Sequence, residues 1–142
     1  NMPLVIVGRG REYQDQITEY IKKHSLQDKV IHLTTVTNEE LPSFYQSAKL
    51  FIYPSKYEGF GIPIVEALKS NTQVLTSNCS CMPEVGGDAA FYCDPYSVKS
   101  IASEIVSAIE KPKSQDIIQE QANKFSHELF VSNTMNIYSN LG

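Results

Sequence analysis

No run of apolar residues in this 142-residue chain approaches the roughly 18 needed to cross a bilayer, so no membrane-spanning helix is expected. Basic clusters are missing too. With a net charge of -4 and no basic run, the chain offers no surface for nucleic acid or an anionic membrane. Cysteine is scarce and odd in number: Cys79, Cys81 and Cys93. Cys79-Ser80-Cys81 is spaced too tightly for an ordinary disulfide or a zinc knuckle, so free thiols in a reducing cytosol are expected. The histidines His24, His32 and His127 are scattered without ligand spacing, and no metal site is expected. No internal repeat, low-complexity stretch or linker divides the chain. The start reads as a strand, not as the charged segment and apolar core of a signal peptide. What remains is 42% hydrophobic and 20% charged, which suits one soluble domain with a sizeable core across residues 1–142.

Leu4-Val5-Ile6-Val7 is all apolar and ends in Gly8-Arg9-Gly10, the pattern of a buried parallel strand feeding a turn. Tyr13, Ile17, Tyr20, Ile21 and His24 follow at helical spacing. Val30-Ile31-His32-Leu33 reads as a second strand. Thr37 and Glu40 have capping-box spacing, with Val36 and Leu41 placed as a hydrophobic staple. Pro42 falls late for a first-turn proline. Leu50-Phe51-Ile52-Tyr53 is a third strand, stopped by Pro54, and a helix is expected from Pro63 to Lys69. Asn71 stands just past it, where a left-handed residue is favoured. Gln73–Thr76 and Ala90–Tyr92 read as further strands. Helices are expected around Ile101–Ile109, Ser114–Phe125 and His127–Asn140. Apolar strands alternating with helices predict an α/β fold with a doubly wound, Rossmann-like parallel sheet. Ligands of such sheets sit at the carboxyl ends of the strands.

One such end carries the most chemistry: Pro54-Ser55-Lys56-Tyr57-Glu58-Gly59-Phe60-Gly61-Ile62-Pro63-Ile64-Val65-Glu66. Gly59 and Gly61 allow close approach of backbone and positive φ. Pro63 is suited to the first helical position. The helix start directs unpaired N–H groups and a positive dipole end at the turn, which is a diphosphate site. Glu58 precedes the glycines and can reach into the cleft. A carboxylate beside a phosphate site needs another task, and accepting hydrogen bonds from sugar hydroxyls is one. Glu66 lies among apolar neighbours near the end of the first helical turn, and a carboxylate that accepts bidentately suits the two hydroxyls of a ribose.

The spacing of Glu58 and Glu66, with Gly-Phe-Gly between them and Pro54-Ser55 before, resembles the signature of the family 4 retaining glycosyltransferases of GT-B architecture. The resemblance extends along nearly the whole chain: Leu4–Gly8, Val30–Leu33 through Glu40-Leu41, Tyr45-Gln46-Ser47-Ala48, Pro83–Ala90 and Asp94-Pro95. It implies that Glu58 contacts the donor sugar near the anomeric centre and is the catalytic candidate. It implies that Gly59, Phe60, Gly61 and Ile62 meet sugar hydroxyls and diphosphate through their backbone, and that Glu66 holds the ribose. Thr35, Val36 and Leu41 would border the base, and Gly8 would line the nucleotide cleft. The loop from Pro83 to Gly86 is expected to be architectural. Thr34-Thr35, Asn71, Gln73 and His127 depart from the family pattern, where Leu-Gly, Gly, Pro and Trp are frequent.

The resemblance further implies a fragment: the carboxyl-terminal, donor-binding half of a two-domain enzyme. The amino-terminal acceptor domain and the basic phosphate-binding residues would lie upstream, and Arg9 does not replace them. The expected function is transfer of a sugar from a nucleoside diphosphate sugar to an acceptor, with retention, in polysaccharide or glycolipid biosynthesis. No cofactor is expected, and the lack of an Asp-x-Asp motif argues for metal independence. The isolated fragment is expected to be inactive. The expected location is the cytoplasm, or peripherally the inner face of a membrane for the full-length protein. The alternatives are a non-catalytic nucleotide-binding module and a GT-B-like nucleotide-sugar epimerase.

Overall fold

The computed structural model describes residues 2–8 and 10–141. Arg9, in the expected turn after the first strand, lies outside the described residues. The chain divides into two compact units, residues 1–41 and 42–142.

In the first unit, β1 (Leu4–Val7) pairs in parallel with β2 (Val30–Leu33), Leu4 opposite Val30 and Val7 opposite Leu33. The Gly8 amide extends the pairing by donating to the Leu33 carbonyl at 3.1 Å. The connection is α1 (Arg11–Lys23), the crossover that parallel strands require. The sequence suggested a buried first strand, and this is corrected: Leu4 is 47% exposed and Val7 41%. An all-apolar run records that burial is favourable. It does not supply the layer that covers it, and a two-stranded sheet leaves much of its surface open.

After β2, Thr37 begins a turn. Its amide donates to Glu40 Oε2 at 2.8 Å, and its carbonyl accepts from the Glu40 and Leu41 amides. Half of the expected box forms: the Glu40 carboxylate takes the Thr37 amide, while the Glu40 amide goes to the Thr37 carbonyl and not to its hydroxyl. The helix α2 (Leu41–Ser47) follows. Pro42 is the second helical residue, where a missing N–H costs nothing.

In the second unit, β3 (Phe51–Tyr53), β4 (Val74–Ser77) and β5 (Ala90–Cys93) form a parallel sheet in that order. The parallel α/β class follows the expectation, with the pairing divided between two sheets among the described residues. The central strand β4 is buried at every position. Around this sheet lie α3 (Ile62–Lys69), α4 (Met82–Gly86), a 3-10 turn at Gly87–Ala89, α5 (Val98–Glu110) and α6 (Gln115–Asn123). A further helix, α7, covers His127–Leu141. Ile64, Leu68, Leu75, Met82 and Ile118 are fully buried and form the core. The short helix α4 was expected as a loop.

Two departures from the family pattern acquire local reasons. Asn71 has φ 60°. Its amide donates to the Leu68 carbonyl, and the Thr72 amide to the Ala67 carbonyl, the two bonds of a Schellman motif. Asparagine thus performs the glycine's part. Gln73 uses both ends of its amide on Lys113: Nε2 donates to the carbonyl and Oε1 accepts from the amide, each at 2.9 Å. A proline makes neither bond.

Candidate functional site

The strand β3 ends because Pro54 has no N–H to extend the pairing with β4. Hydroxyls of β4 then take over. Thr76 donates to the Tyr53 carbonyl at 2.8 Å and Ser77 to the Ser55 carbonyl at 2.5 Å. Thr76 and Ser77 are fully buried, and these bonds are what allows polar side chains there. The turn carrying Glu58 is thereby fixed to the central strand.

The next residues of the β4–α4 connection continue the attachment. The Glu58 amide meets Ser80 Oγ at 3.4 Å, and that hydroxyl donates to the Glu58 carbonyl at 3.0 Å. The Cys81 thiol reaches the same carbonyl at 3.4 Å, and Cys79 the Lys56 carbonyl at 3.5 Å. All three cysteines are free, as expected. Two of them have a task the sequence did not reveal: holding the backbone beside the candidate carboxylate.

The Glu58 side chain is held by one oxygen. Oε1 accepts from the Tyr53 hydroxyl at 2.6 Å and from Ser55 at 2.8 Å. These bonds, Tyr53 first and then Ser55, keep the carboxyl below its ordinary 4.5, with partial burial opposing. Burial and then the Glu58 carboxylate push the Tyr53 phenol up to about 12. At neutral pH the pair is therefore carboxylate and neutral phenol.

Past Glu58, Gly59 is open to solvent and Phe60 packs edge-on against Phe125, with centroids 5.8 Å apart. Gly61 is the N-cap of α3 in the left-handed region, at φ 95° and ψ 43°. Ile62 is the first helical residue and Pro63 the second, one place later than expected. The Ile64 amide donates back to the Gly61 carbonyl. Pro63 has no amide, and the Ile62 amide, ahead of the first helical bond, has no partner among the described residues.

On α3, Ile64, Ala67 and Leu68 turn to the core and Glu66 is exposed. Its Oε2 accepts from the Tyr45 hydroxyl at 2.9 Å. Tyr45 is almost buried, and its phenol is raised above the ordinary range by that burial and then by Glu66. Thr72 fixes the backbone of the same residue by donating to the Tyr45 carbonyl at 2.7 Å. One Glu66 oxygen is thus already engaged, which leaves Oε1 as the oxygen without a partner among the described residues.

The second unit therefore brings Glu58, Gly59, Phe60, Gly61, Ile62 and Glu66 along one turn and helix start. Gly8, at the end of β1, and Thr35, Val36 and Leu41, after β2, belong to the first unit. Sequence reasoning missed Tyr45, Tyr53, Ser55 and Ser80. Tyr53 was available as the last strand residue before Pro54, but a strand tyrosine reads as packing. The Pro83–Gly86 loop is built into the fold: Tyr92 donates to the Gly87 carbonyl at 2.6 Å and Gln121 to the Val85 carbonyl at 2.9 Å. Among the described residues there is no cluster of side chains able to hold a metal ion, and no helix is long and apolar enough to cross a membrane.

Residues 1–125 match the family model described as "Glycosyl transferases group 1". The chain is 36% identical over 141 residues to O-antigen chain mannosyltransferase B of Escherichia coli, covering 96% of this chain and 37% of the relative. It is 37% identical over 109 residues to O-antigen chain mannosyltransferase RfbU of Salmonella typhimurium, covering 77% of this chain and 31% of the relative. The Anabaena protein HepE, solved in complex with UDP, superposes with a TM-score of 0.75 at 23% identity, over 99% of this chain and 40% of that one. This chain therefore spans less than half the length of each of these three proteins.

Proposed function

The chain belongs to the group 1 glycosyl transferases, and on that premise we propose that it is the donor-binding half of a two-domain, retaining sugar transferase. The observation that carries this is the Glu58–Glu66 turn. Two carboxylates, each tethered through one oxygen, stand on either side of a left-handed glycine and a helix start with an open amide. Glu58 takes the sugar hydroxyls, Glu66 the ribose, and the Gly59–Ile62 backbone the diphosphate. Charge grows on the diphosphate as the glycosidic bond breaks, and fixed N–H donors stabilise it without reorganising. No metal is assigned to that task. Gly8, Thr35, Val36 and Leu41 are proposed for the nucleotide, as the family resemblance implies.

For the sugar we propose mannose, since the two curated relatives above are mannosyltransferases of O-antigen chains. The acceptor is proposed to be a growing polysaccharide chain, bound by the other half of the enzyme.

Calorimetry with GDP, GDP-mannose, UDP and UDP-glucose tests this. Glu66→Ala is expected to weaken nucleotide and nucleotide sugar alike, by roughly 10- to 100-fold, the worth of a hydrogen bond to a charged group. Glu58→Ala should weaken the nucleotide sugar by a similar factor and spare the bare nucleotide. Identical behaviour of the two variants refutes the assignment, and tighter binding of UDP-glucose than GDP-mannose refutes mannose.

A further inference from the structure

Resting on the donor-binding roles of Glu58 and Glu66, we propose that Tyr53 and Tyr45 are positioning residues that fix which oxygen of each carboxylate meets the donor. A glutamate side chain has three rotatable bonds and two equivalent oxygens. Free in solvent, it presents either oxygen in many directions. Here Tyr53 and Ser55 both donate to Oε1 of Glu58, at 2.6 and 2.8 Å. Two donors on one oxygen set both the place and the rotation of the carboxylate, and Oε2 is the oxygen left over.

Each of those hydroxyls has a single proton. Tyr53 commits its proton to Glu58, and Ser55 faces both Glu58 Oε1 at 2.8 Å and the Tyr57 carbonyl at 3.2 Å, so neither donates to a ligand while that geometry holds. The wall around Oε2 therefore accepts hydrogen bonds and selects a ligand hydroxyl over a ligand carbonyl or carboxylate. Lys56, the nearest cation in sequence, does not compensate, because its ammonium lies 4.7 Å from the centre of the Tyr96 ring.

Tyr45 does the same for Glu66 from another element. Its ring sits in the core of the second unit and its hydroxyl reaches Oε2 at 2.9 Å. Phe51 lies between the two tyrosines. Its ring meets Tyr45 edge-on at 5.1 Å and Tyr53 stacked at 5.8 Å. The strand residues 51 and 53 and the helix residue 45 thus form one aromatic row with a carboxylate at each end. Packed rings of this kind are held against small displacements, so the row fixes the two carboxylates relative to each other. A nucleoside diphosphate sugar, which carries its ribose and its sugar at a limited range of separations, is the ligand class such spacing serves.

The test uses the full chain with Tyr53→Phe, Tyr45→Phe, Ser55→Ala and Glu58→Ala, and calorimetry with GDP and GDP-mannose, repeated with UDP and UDP-glucose. Phenylalanine keeps the aromatic row and deletes only the proton. Tyr53→Phe is expected to weaken the nucleotide sugar about 5- to 20-fold and the nucleotide less than about 2-fold. Tyr45→Phe is expected to weaken both by the same factor, about 3- to 10-fold. A pH series adds a readout that loss of packing does not mimic. The groups around Glu58 are the hydroxyls of Tyr53 and Ser55 on its carboxylate, and Ser80 and the Cys81 thiol on its backbone. Without the Tyr53 proton, the acid limb of sugar-dependent binding should move to higher pH, and Ser55→Ala should move it the same way by less. If Tyr53→Phe binds like the parent while Glu58→Ala loses the sugar-dependent part, the positioning role is overturned and the Glu58 assignment stands. If Glu58→Ala leaves that part unchanged, or no ligand binds the parent, the donor-site reading falls and the positioning role with it. If Tyr53→Phe does not fold, Ser55→Ala decides, and an unmoved acid limb overturns the proposal.

Discussion

Gly59 and Gly61 stand two residues apart in the turn proposed for the donor, and the same substitution is expected to act on them in opposite ways. At Gly61 the backbone is left-handed, with φ 95°, and an alanine there costs about 1–2 kcal/mol. The new Cβ would meet Ile64 Cδ1 at 3.2 Å. Ile64 is fully buried, so its shift adds about 1 kcal/mol. Alanine also narrows the unfolded ensemble, which offsets about 0.7 kcal/mol. The net loss is about 2 kcal/mol, or roughly 6 to 8 °C in Tm for a chain of this size. At Gly59 φ is not positive and nothing lies within 4 Å of an added Cβ. Only the unfolded-state effect remains, so Gly59→Ala should be neutral or stabilise by up to about 0.7 kcal/mol. Its methyl group, however, occupies the open space assigned to the donor, and affinity for the nucleotide sugar should fall about tenfold or more. Urea midpoints and calorimetry on the two variants measure both effects. Equal destabilisation by the two substitutions, or a Gly61→Ala loss below about 0.5 kcal/mol, would refute the division of labour between the glycines.

Gln73→Ala removes both bonds to the Lys113 backbone and should cost about 1–2 kcal/mol in urea unfolding, without changing nucleotide affinity; a loss below about 0.3 kcal/mol would show that the two bonds contribute little. The tether on Glu58 has a pH signature. Its folded pKa lies below 4.5, so the stability it contributes is complete above the unfolded value and disappears as pH falls through the folded one. The gap in urea midpoint between the parent and Glu58→Gln should therefore be wider at pH 6 than at pH 3, and a constant gap would count against an ionised, tethered carboxylate.

Much of the site was legible because the chemistry is local. Gly59, Gly61 and Pro63 announce a turn into a helix, and the carboxylates on either side stand out against their neighbours. The oxygens that each carboxylate has free were not legible. For Glu66 they depend on Tyr45, which is 21 residues away in sequence; for Glu58 they depend on Tyr53 and Ser55, close in sequence, in a turn whose backbone the Ser77–Cys81 stretch fixes. Neither partner carries a mark in sequence: Tyr45 reads as a helix aromatic, and Cys79-Ser80-Cys81 as a polar loop. The apolar run of β1 misled in the other direction, because hydrophobicity states a preference that only a covering layer can satisfy.

The sequence by itself determined the alternation of strands and helices, the parallel α/β class, the glycine turn and the two carboxylates. Each of these rests on interactions within a few residues. Only the tertiary structure decided that Tyr45 holds one oxygen of Glu66, and that the thiols of Cys79 and Cys81 and the hydroxyl of Ser80 fasten the turn. Those are bonds between elements brought together by packing, and side chains that meet across a fold have no fixed spacing along the chain.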